Sequence, residues 1–581
     1  RQRDDVEQFL ARYDGTPFVY LLRSEWLKYL GKYGHKDAFI ASYREGMGAV
    51  ITCQYLTYQL KGATNPDYWL DKVAPIWLSG ESQPDECDPL FSRWEEKGFM
   101  TADVVLKRIE LAATSGNARL VPYLQRRLPT DQQYLADLWM KVRSAPKNVL
   151  RASAFPLKNP AAEARILRYG MERLAWQNVD DGIKAYYQWQ PKKVFSRTQL
   201  NGIHRAIALS LAIDDKPGAQ EWLQRADVKG ANEDVKRWHL AHLLRNEKWQ
   251  EALQLIGSAS DTRQEDDNFM YWRARAFEAL GMPEQASRLF RELAPERHFY
   301  GFMASARLSQ EPSLMHASTP RDEARIASIQ KLPAARRAYE FLQLGRLISA
   351  RREWRHLLTS IDSDQVKDAA LLASEWGWYD QAIISFAQSG YLNDVERRFP
   401  LAFAPEFSRV GQTYNIPPAF AMAIARRESS FMVDAVSPAG ATGLMQLMPG
   451  TAQYLSDSRV NRTTLIEPNR NVEFGVQYLR YLMDKLGENP VLVSASYNAG
   501  WRRVMEWLPE KDGVPTDIWI ENIPYRETRA YVKAVMAYRY IYEAQLGAPS
   551  HLFNELATKP IPSSNRLTAP ASSGNAMLAP E

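Results

Sequence analysis

No window of this 581-residue chain approaches the roughly 18 consecutive apolar residues that a spanning helix needs, so no membrane span is expected. The eight histidines form no HExxH or similar ligand spacing. A GxxxxGKS/T phosphate loop and a DxDxDG-type calcium loop are also missing, so neither a metal nor a cofactor is expected. Apolar residues alternating between paired turn signals are not found, which argues against a sheet-built domain. Cysteine is scarce. On spacing alone, Cys53 and Cys87 read equally well as one disulfide of an exported protein or as two buried thiols of a cytosolic one. The chain opens at Arg1 without a charged-then-apolar leader, an absence that proves nothing about export. An excess of one charge is nearly lacking too: the net +5 is too small to name nucleic acid, and arginines mixed with acids along helical stretches read as a solvated face.

What is present is helix. The length calls for several domains or a repeat array, since one hydrophobic core does not grow to 581 residues. Up to about residue 400 the chain is rich in Leu, Ala, Arg, Gln, Glu and Trp, with short breaks such as Lys216-Pro217-Gly218 and Gly281-Met282-Pro283. Ala185, Ala219, Ala252 and Ala286, read as opening each second helix of a pair, recur at steps of 34, 33 and 34 residues. Trp238 and Trp272 share that period, and Ala350 and Ala382 echo it more weakly. Small residues at such positions let paired helices approach closely, and stacked pairs make an α-solenoid. Its concave surface serves either as a cradle or as a spacer. Near Phe399-Pro400 the composition shifts to Gly, Asn, Tyr and Met with tight glycine turns, which marks a second kind of domain from Leu401. From about Lys559 the chain turns Pro-, Ser- and Ala-rich, and a disordered tail is expected.

Four segments of that second domain carry candidate chemistry. Pro417-Pro418 suits a helix entry, and Phe420, Ile424 and Glu428 follow on one face. A carboxyl that ends an apolar stripe has its charged form disfavoured, so it holds a proton near neutral pH, as a general acid must. The plainer reading is an exposed helix-end glutamate beside Arg426 and Arg427. In Gly440-Ala441-Thr442-Gly443-Leu444-Met445-Gln446-Leu447-Met448 the glycines permit close backbone approach around a polar Gln446. Structurally this is also consistent with a tight helical corner. Ala495-Ser496-Tyr497-Asn498-Ala499-Gly500 ends a helix with Gly500 as its left-handed cap, leaving Tyr497 and Asn498 near the helix end. Last, Ile523-Pro524-Tyr525-Arg526-Glu527-Thr528-Arg529 leads a loop into a helix containing Tyr531-Val532. There Glu527 reads either as a second site carboxylate or as a capping residue in a salt bridge.

Taken in order, Glu428-Ser429, Gly443-Leu444-Met445-Gln446, Tyr497-Asn498-Ala499-Gly500 and the Ile523 to Val532 segment resemble the four motifs of the soluble lytic murein transglycosylases, family 1, over residues 405 to 545. The resemblance implies an all-α protein: a U-shaped α-superhelix over 1–335, a helical linker domain over 336–400, and a goose-type lysozyme-like catalytic domain over 401–550. A disordered tail over 551–581 completes the division. It implies Glu428 as the single catalytic acid and base, with Ser437, Gln446, Met448, Tyr497, Asn498 and Glu527 lining the site. It further implies a Cys53–Cys87 disulfide, a periplasmic location and no metal or cofactor. The substrate would be peptidoglycan strands with their peptide stems, cut between N-acetylmuramic acid and N-acetylglucosamine with 1,6-anhydro ends left behind. A monomer is expected, with cell-wall synthesis or hydrolysis proteins as candidate partners. Two other classes compete: a muramidase of the same fold, and a scaffold with an inert glycosidase domain.

Overall fold

The computed structural model describes residues 2–227, 232–258 and 266–567; Arg1 and the last fourteen residues of the expected tail, 568–581, lie outside them. The described chain is built of helices, and its one paired strand element is the two-residue match of Val514–Pro515 with Pro560–Ile561. Two compact units divide it, Arg1–His239 and Leu240–Glu581.

In the first unit, antiparallel helices follow one another through short polar breaks. Side-chain caps start them: Asn159 before Pro160–Gln177, Asn178 before Val179–Trp189, and a Ser196–Gln199 capping box before Arg197–Ile213. The repeat alanines lie in the helix contacts, Ala185 and Ala219 both buried. Ala219 opens its helix, whereas Ala185 stands in the body of Val179–Trp189. Close approach is literal at Gly182, where an added Cβ would lie 2.8 Å from the Ala175 Cα. Cys53 of Ala49–Leu60 is bonded to Cys87, with Cα atoms 5.1 Å apart and both residues fully buried.

In the second unit, Trp272 occupies the sixth position of helix Asp267–Ala279, just as Trp238 does in Glu233–Arg245 across the division, and both rings are buried. The expected boundaries at 335 and 400 do not match this division, and the reason is packing. Helices Asp267–Ala279, Pro283–Leu293 and Phe299–Arg307 share one hydrophobic core with the elements beyond residue 400. Buried polar contacts reinforce it. Asp517, almost wholly inaccessible, accepts from Tyr271 at 2.8 Å, from Arg275 at 2.9 Å and from Arg307 at 3.4 Å. Glu521 accepts from Tyr300 and from Lys533. Between these parts, residues 323–389 form five helices around a separate core that contains Trp354, Phe386, Ala350 and Ala382.

The expected disorder from residue 551 is corrected over the described part. Helix Leu552–Thr558 buries Leu552, Phe553 and Leu556, and Phe553 meets the rings of Phe299, Phe302 and Tyr540 edge-on. Three apolar side chains at i, i+1 and i+4 suffice to dock a two-turn helix, and the following strand pair holds its end.

The disulfide yields a direct test. In the chain-entropy view a closed loop of this size contributes about 4 kcal/mol. Reduction, or Cys53→Ser with Cys87→Ser, is expected to lower the unfolding free energy of the first unit by about that amount, read as a lower midpoint in chemical unfolding with and without reductant. Identical midpoints would contradict a stabilising bond.

Candidate active site

The site begins with a helix that is buried along most of its length. From Ala419 to Arg426 each residue of Pro418–Glu428 is buried, so this is a core helix rather than the one-sided stripe read from the sequence. Glu428 is its last residue, partly buried where the helix leaves the core. The Tyr531 hydroxyl donates to its Oε1 at 2.7 Å. Burial pushes the carboxyl up to about 7; the Tyr531 hydrogen bond and the Arg427 charge oppose that rise, and the Glu527 charge adds to it. Tyr497 and Tyr531 are in turn held well above the ordinary phenol range by burial and by the Glu428 charge.

The segment after Glu428 folds back over it. Short bridges join Val436 to Thr442 and Thr442 to Leu447. Gly443 takes a positive φ of 85°, and a Cβ there would lie 2.2 Å from both the Asn471 amide and the Leu465 carbonyl oxygen, so only glycine fits. Fully buried Asn471 makes three contacts on this corner: it accepts from Met445 N–H at 2.8 Å and donates to the carbonyls of Thr442 at 3.0 Å and Leu465 at 2.8 Å. Ser429 donates to the Leu444 carbonyl at 2.7 Å, and Tyr497 donates to that of Met445 at 2.8 Å. The residues flanking the acid and the far side of the loop are thereby tied together.

The residues expected to line a site divide into three groups. Gln446, Met448, Tyr497 and Asn498 border a cleft of about 610 Å³. Tyr454, Tyr478, Tyr481 and Trp501 complete an aromatic wall there. Gln446 is held at a φ of 49°, with its amide nitrogen donating to the carbonyls of Gly443 at 2.9 Å and Ala435 at 3.1 Å. Ser437 is elsewhere: its hydroxyl accepts from Ala441 N–H at 3.0 Å and closes its own turn. Glu527 is exposed in the first turn of Arg526–Gln545 and accepts from the Asn498 amide at 3.4 Å, while Thr528 donates to the Asn498 oxygen at 2.6 Å. Arg529, one of the two flanking arginines, is buried and donates to the Ile523 carbonyl.

Sequence reasoning did not single out Tyr531 as the partner of the acid. The signal existed, because Tyr531 follows Glu527 by one helical turn and shares its face. Asn471 had no local signal, being one of three amides in the helix Pro468–Lys485, with Asn469 and Gln477, and it matters only through what it meets. Chemically, the arrangement supplies one carboxyl that is protonated near neutral pH, one neutral phenol that orients it, and an aromatic cleft with amide edges, which suits a sugar chain.

Comparison with known proteins identifies the family. Residues 406–520 match the transglycosylase SLT domain and residues 328–395 the soluble lytic murein transglycosylase L domain, which covers most of the expected linker. A third match, to the soluble lytic transglycosylase helical domain, falls on residues 522–550, within the catalytic part. The soluble lytic murein transglycosylase of Salmonella typhimurium is 27% identical, covering 95% of this chain and 86% of that one. Its Escherichia coli K12 counterpart is also 27% identical, over 93% and 85%. Among solved structures, an inactive mutant of the lytic transglycosylase Slt from Pseudomonas aeruginosa superposes with a TM-score of 0.86 at 33% identity, covering 94% of this chain and 90% of that one. The 70-kDa soluble lytic transglycosylase bound to bulgecin A gives 0.84 at 26% identity, over 96% and 91%. With the 33% identical Pseudomonas aeruginosa relative matched over 90% of its length, the chain belongs to the soluble lytic murein transglycosylases.

Proposed function

We propose that the protein is a peptidoglycan lytic transglycosylase in which Glu428 is both the acid and the base. The observation that carries the reading is the acidity of Glu428, raised to about 7 at the end of a buried helix. In the first step the protonated carboxyl gives its proton to the glycosidic oxygen between N-acetylmuramic acid and N-acetylglucosamine, and the C1–O bond breaks. The muramoyl N-acetyl oxygen assists at C1. In the second step the ionised Glu428 takes the proton of the same sugar's C6 hydroxyl, whose oxygen closes on C1. The carboxyl is regenerated, no water is consumed, and a 1,6-anhydro ring ends the strand. A retaining hydrolase with two carboxylates would instead need a nucleophile at C1.

Glu527 has a supporting part in this proposal. Through Asn498 it orients the sugar or its hydrogen-bond donors, and its negative charge favours the cationic character developing at the anomeric carbon. Gln446, Met448, Tyr497 and Asn498 bind the glycan along the aromatic cleft. Ser437 belongs to the proposed set through the resemblance, with its turn-closing hydrogen bond as the local contribution. Among the described residues no helix is long and apolar enough to cross a membrane. The bonded cysteine pair supports export to an oxidising compartment, and with a cell-wall substrate that compartment is the periplasm. The chain acts on peptidoglycan as a monomer, with its division into a superhelical, a linker and a catalytic domain kept as the family plan.

Purified sacculi digested by the enzyme are expected to release muropeptides with anhydro ends, read by mass; reducing ends would indicate a muramidase instead. Glu428→Gln should remove nearly all turnover, a loss of more than about 10²-fold, because the amide keeps the shape but exchanges no proton. Retention of a tenth of the activity would exclude Glu428 as the catalyst. Glu527→Gln is expected to keep measurable anhydro-product formation at a clearly reduced rate, whereas equal and complete loss, or a sugar covalently held on Glu527, would contradict its supporting role.

The pH dependence follows from the same balance. The free enzyme must present Glu428 protonated, so kcat/KM should fall as pH rises through about 7. Glu527→Gln removes a charge that raises the Glu428 pKa and should move that limb to lower pH. Tyr531→Phe removes a hydrogen bond that lowers it and should move the limb to higher pH. Stability falls in the same direction. A carboxyl whose folded pKa lies above its unfolded value of 4.5 penalises the native state progressively from about pH 4.5 to 7 and fully above. Glu428→Gln is therefore expected to melt higher than wild type at pH 8, and the two should converge near pH 4; a limb unmoved in both Glu527→Gln and Tyr531→Phe would refute the assignment.

A further inference from the structure

The loop that carries Gln446 is strained at its root. Immediately after Glu428, Ser430 and Phe431 take φ values of 53° and 65°, and Gln446 itself takes 49°. Left-handed non-glycine residues cost roughly 1 kcal/mol or more each and persist only where their surroundings over-determine them. On one side the holding contacts are those of Asn471, Ser429 and Tyr497. On the other side they come from a different part of the unit.

Arg351 lies on helix Leu347–Ser360, inside the segment that matches the L domain. Its guanidinium grips Asp434 with two parallel hydrogen bonds, Nη1 to Oδ2 at 3.0 Å and Nη2 to Oδ1 at 2.6 Å. The remaining Nε donates to Asp380 at 2.7 Å, on helix Tyr379–Ser389, and Asp380 also accepts from Gln381 at 3.1 Å. Arg351 is 13% exposed and Asp380 5%, so the fork is preset by a buried carboxylate before it meets the loop. Paired guanidinium and carboxylate planes of this kind fix orientation as well as distance. The next residue after Asp434 is Ala435, whose carbonyl accepts from Gly443 N–H at 2.9 Å and from the Gln446 amide at 3.1 Å. A contact path therefore runs from Asp380 through Arg351 and Asp434 to Ala435 and on to the Gln446 wall of the cleft.

We infer that Arg351 is a positioning residue for the glycan cleft, through which the L-domain helices set the place of Gln446. It does not touch the reacting atoms. The inference rests on the reading of this cleft as the glycan site, and its effect belongs to binding rather than to proton transfer. Loosening Asp434 releases the Ala435 carbonyl and lets the Gln446 wall shift, while Glu428 keeps its buried helix and its Tyr531 partner.

Two single variants of the full chain test this, Arg351→Gln and Asp434→Asn, each also made in the Glu428→Gln background. Asp434→Asn leaves the Arg351–Asp380 pair intact, so it remains informative even where Arg351→Gln folds poorly. Binding of tetra-N-acetylglucosamine to the Glu428→Gln forms, measured by calorimetry, is expected to weaken about tenfold in either variant. KM for soluble glycan strands should rise to match, with kcat within about threefold and the basic limb of kcat/KM unmoved. Combining Arg351→Gln with Asp434→Asn in one double variant should bind no worse than Arg351→Gln alone, because Asp434→Asn breaks only a contact that Arg351→Gln already removes. Wild-type affinity in a folded Asp434→Asn protein, losses that multiply in the double variant, or a fall in kcat with KM unchanged would each overturn the inference. Reducing ends from sacculi would overturn the transglycosylase reading while leaving this binding result standing.

Discussion

Everything at this site depends on keeping one carboxyl protonated at neutral pH while it still reaches a polymer. Water would return Glu428 to the ordinary carboxylate range, so the group must be dry, yet a glycan strand cannot enter a closed core. The fold answers with position. Glu428 is the last residue of a helix buried from Ala419 to Arg426, so the core behind it contributes desolvation while its charge is felt by Tyr497, which borders the cleft. The long helix Arg526–Gln545 packs along that helix and presents Tyr531 to the carboxyl, while its first turn carries Glu527. The loop from Ser429 to Met448 then roofs the helix end, at the cost of three left-handed non-glycine residues.

Much of this was legible in the chain because it follows from spacing. The two repeat tryptophans occupy the same helical register, since burial of one face imposes one period on every pair. Gly443 announced a close approach, and Asn471 with the Leu465 carbonyl is what approaches. The stripe of Phe420, Ile424 and Glu428 was visible, but a helix buried all round also hides Ala419, Ala421, Ala423 and Ala425, whose small apolar side chains look neutral in a sequence.

What was not legible is polar and long-range. Asp517 receives three donors from residues more than 200 positions away, and no local pattern distinguishes it from any other helix-start aspartate. Such contacts, with the shared core around Phe302 and Phe553, place residues 240–307 with the catalytic part rather than with the earlier repeats. Composition could not mark that division, because it falls inside the helix Glu233–Arg245 without a glycine or proline break. Gln446 was read as a polar residue among close turns and Ser437 was assigned to the site through the resemblance, but a polar side chain in a tight corner is first needed by the corner. Ser437 closes its own turn, and Gln446 meets that need with its amide nitrogen while still bordering the cleft.

The choice of Tyr531 as the hydrogen-bond donor follows from the same constraint. Any donor to a carboxylate stabilises the charged form and lowers the pKa, so orientation is gained at some loss of basicity. A lysine or arginine at 2.7 Å would add a full positive charge to that effect. Arg427 acts on Glu428 through its charge and is itself exposed to water, where screening weakens it. A neutral phenol on a buried helix face holds the carboxyl in place while leaving desolvation dominant. The phenol in turn is kept from ionising by its own burial and by the carboxyl charge, so it remains a donor across the whole range in which Glu428 titrates. One residue pair thereby satisfies two opposed demands, a fixed direction for the proton and an acidity low enough to keep it until the substrate arrives.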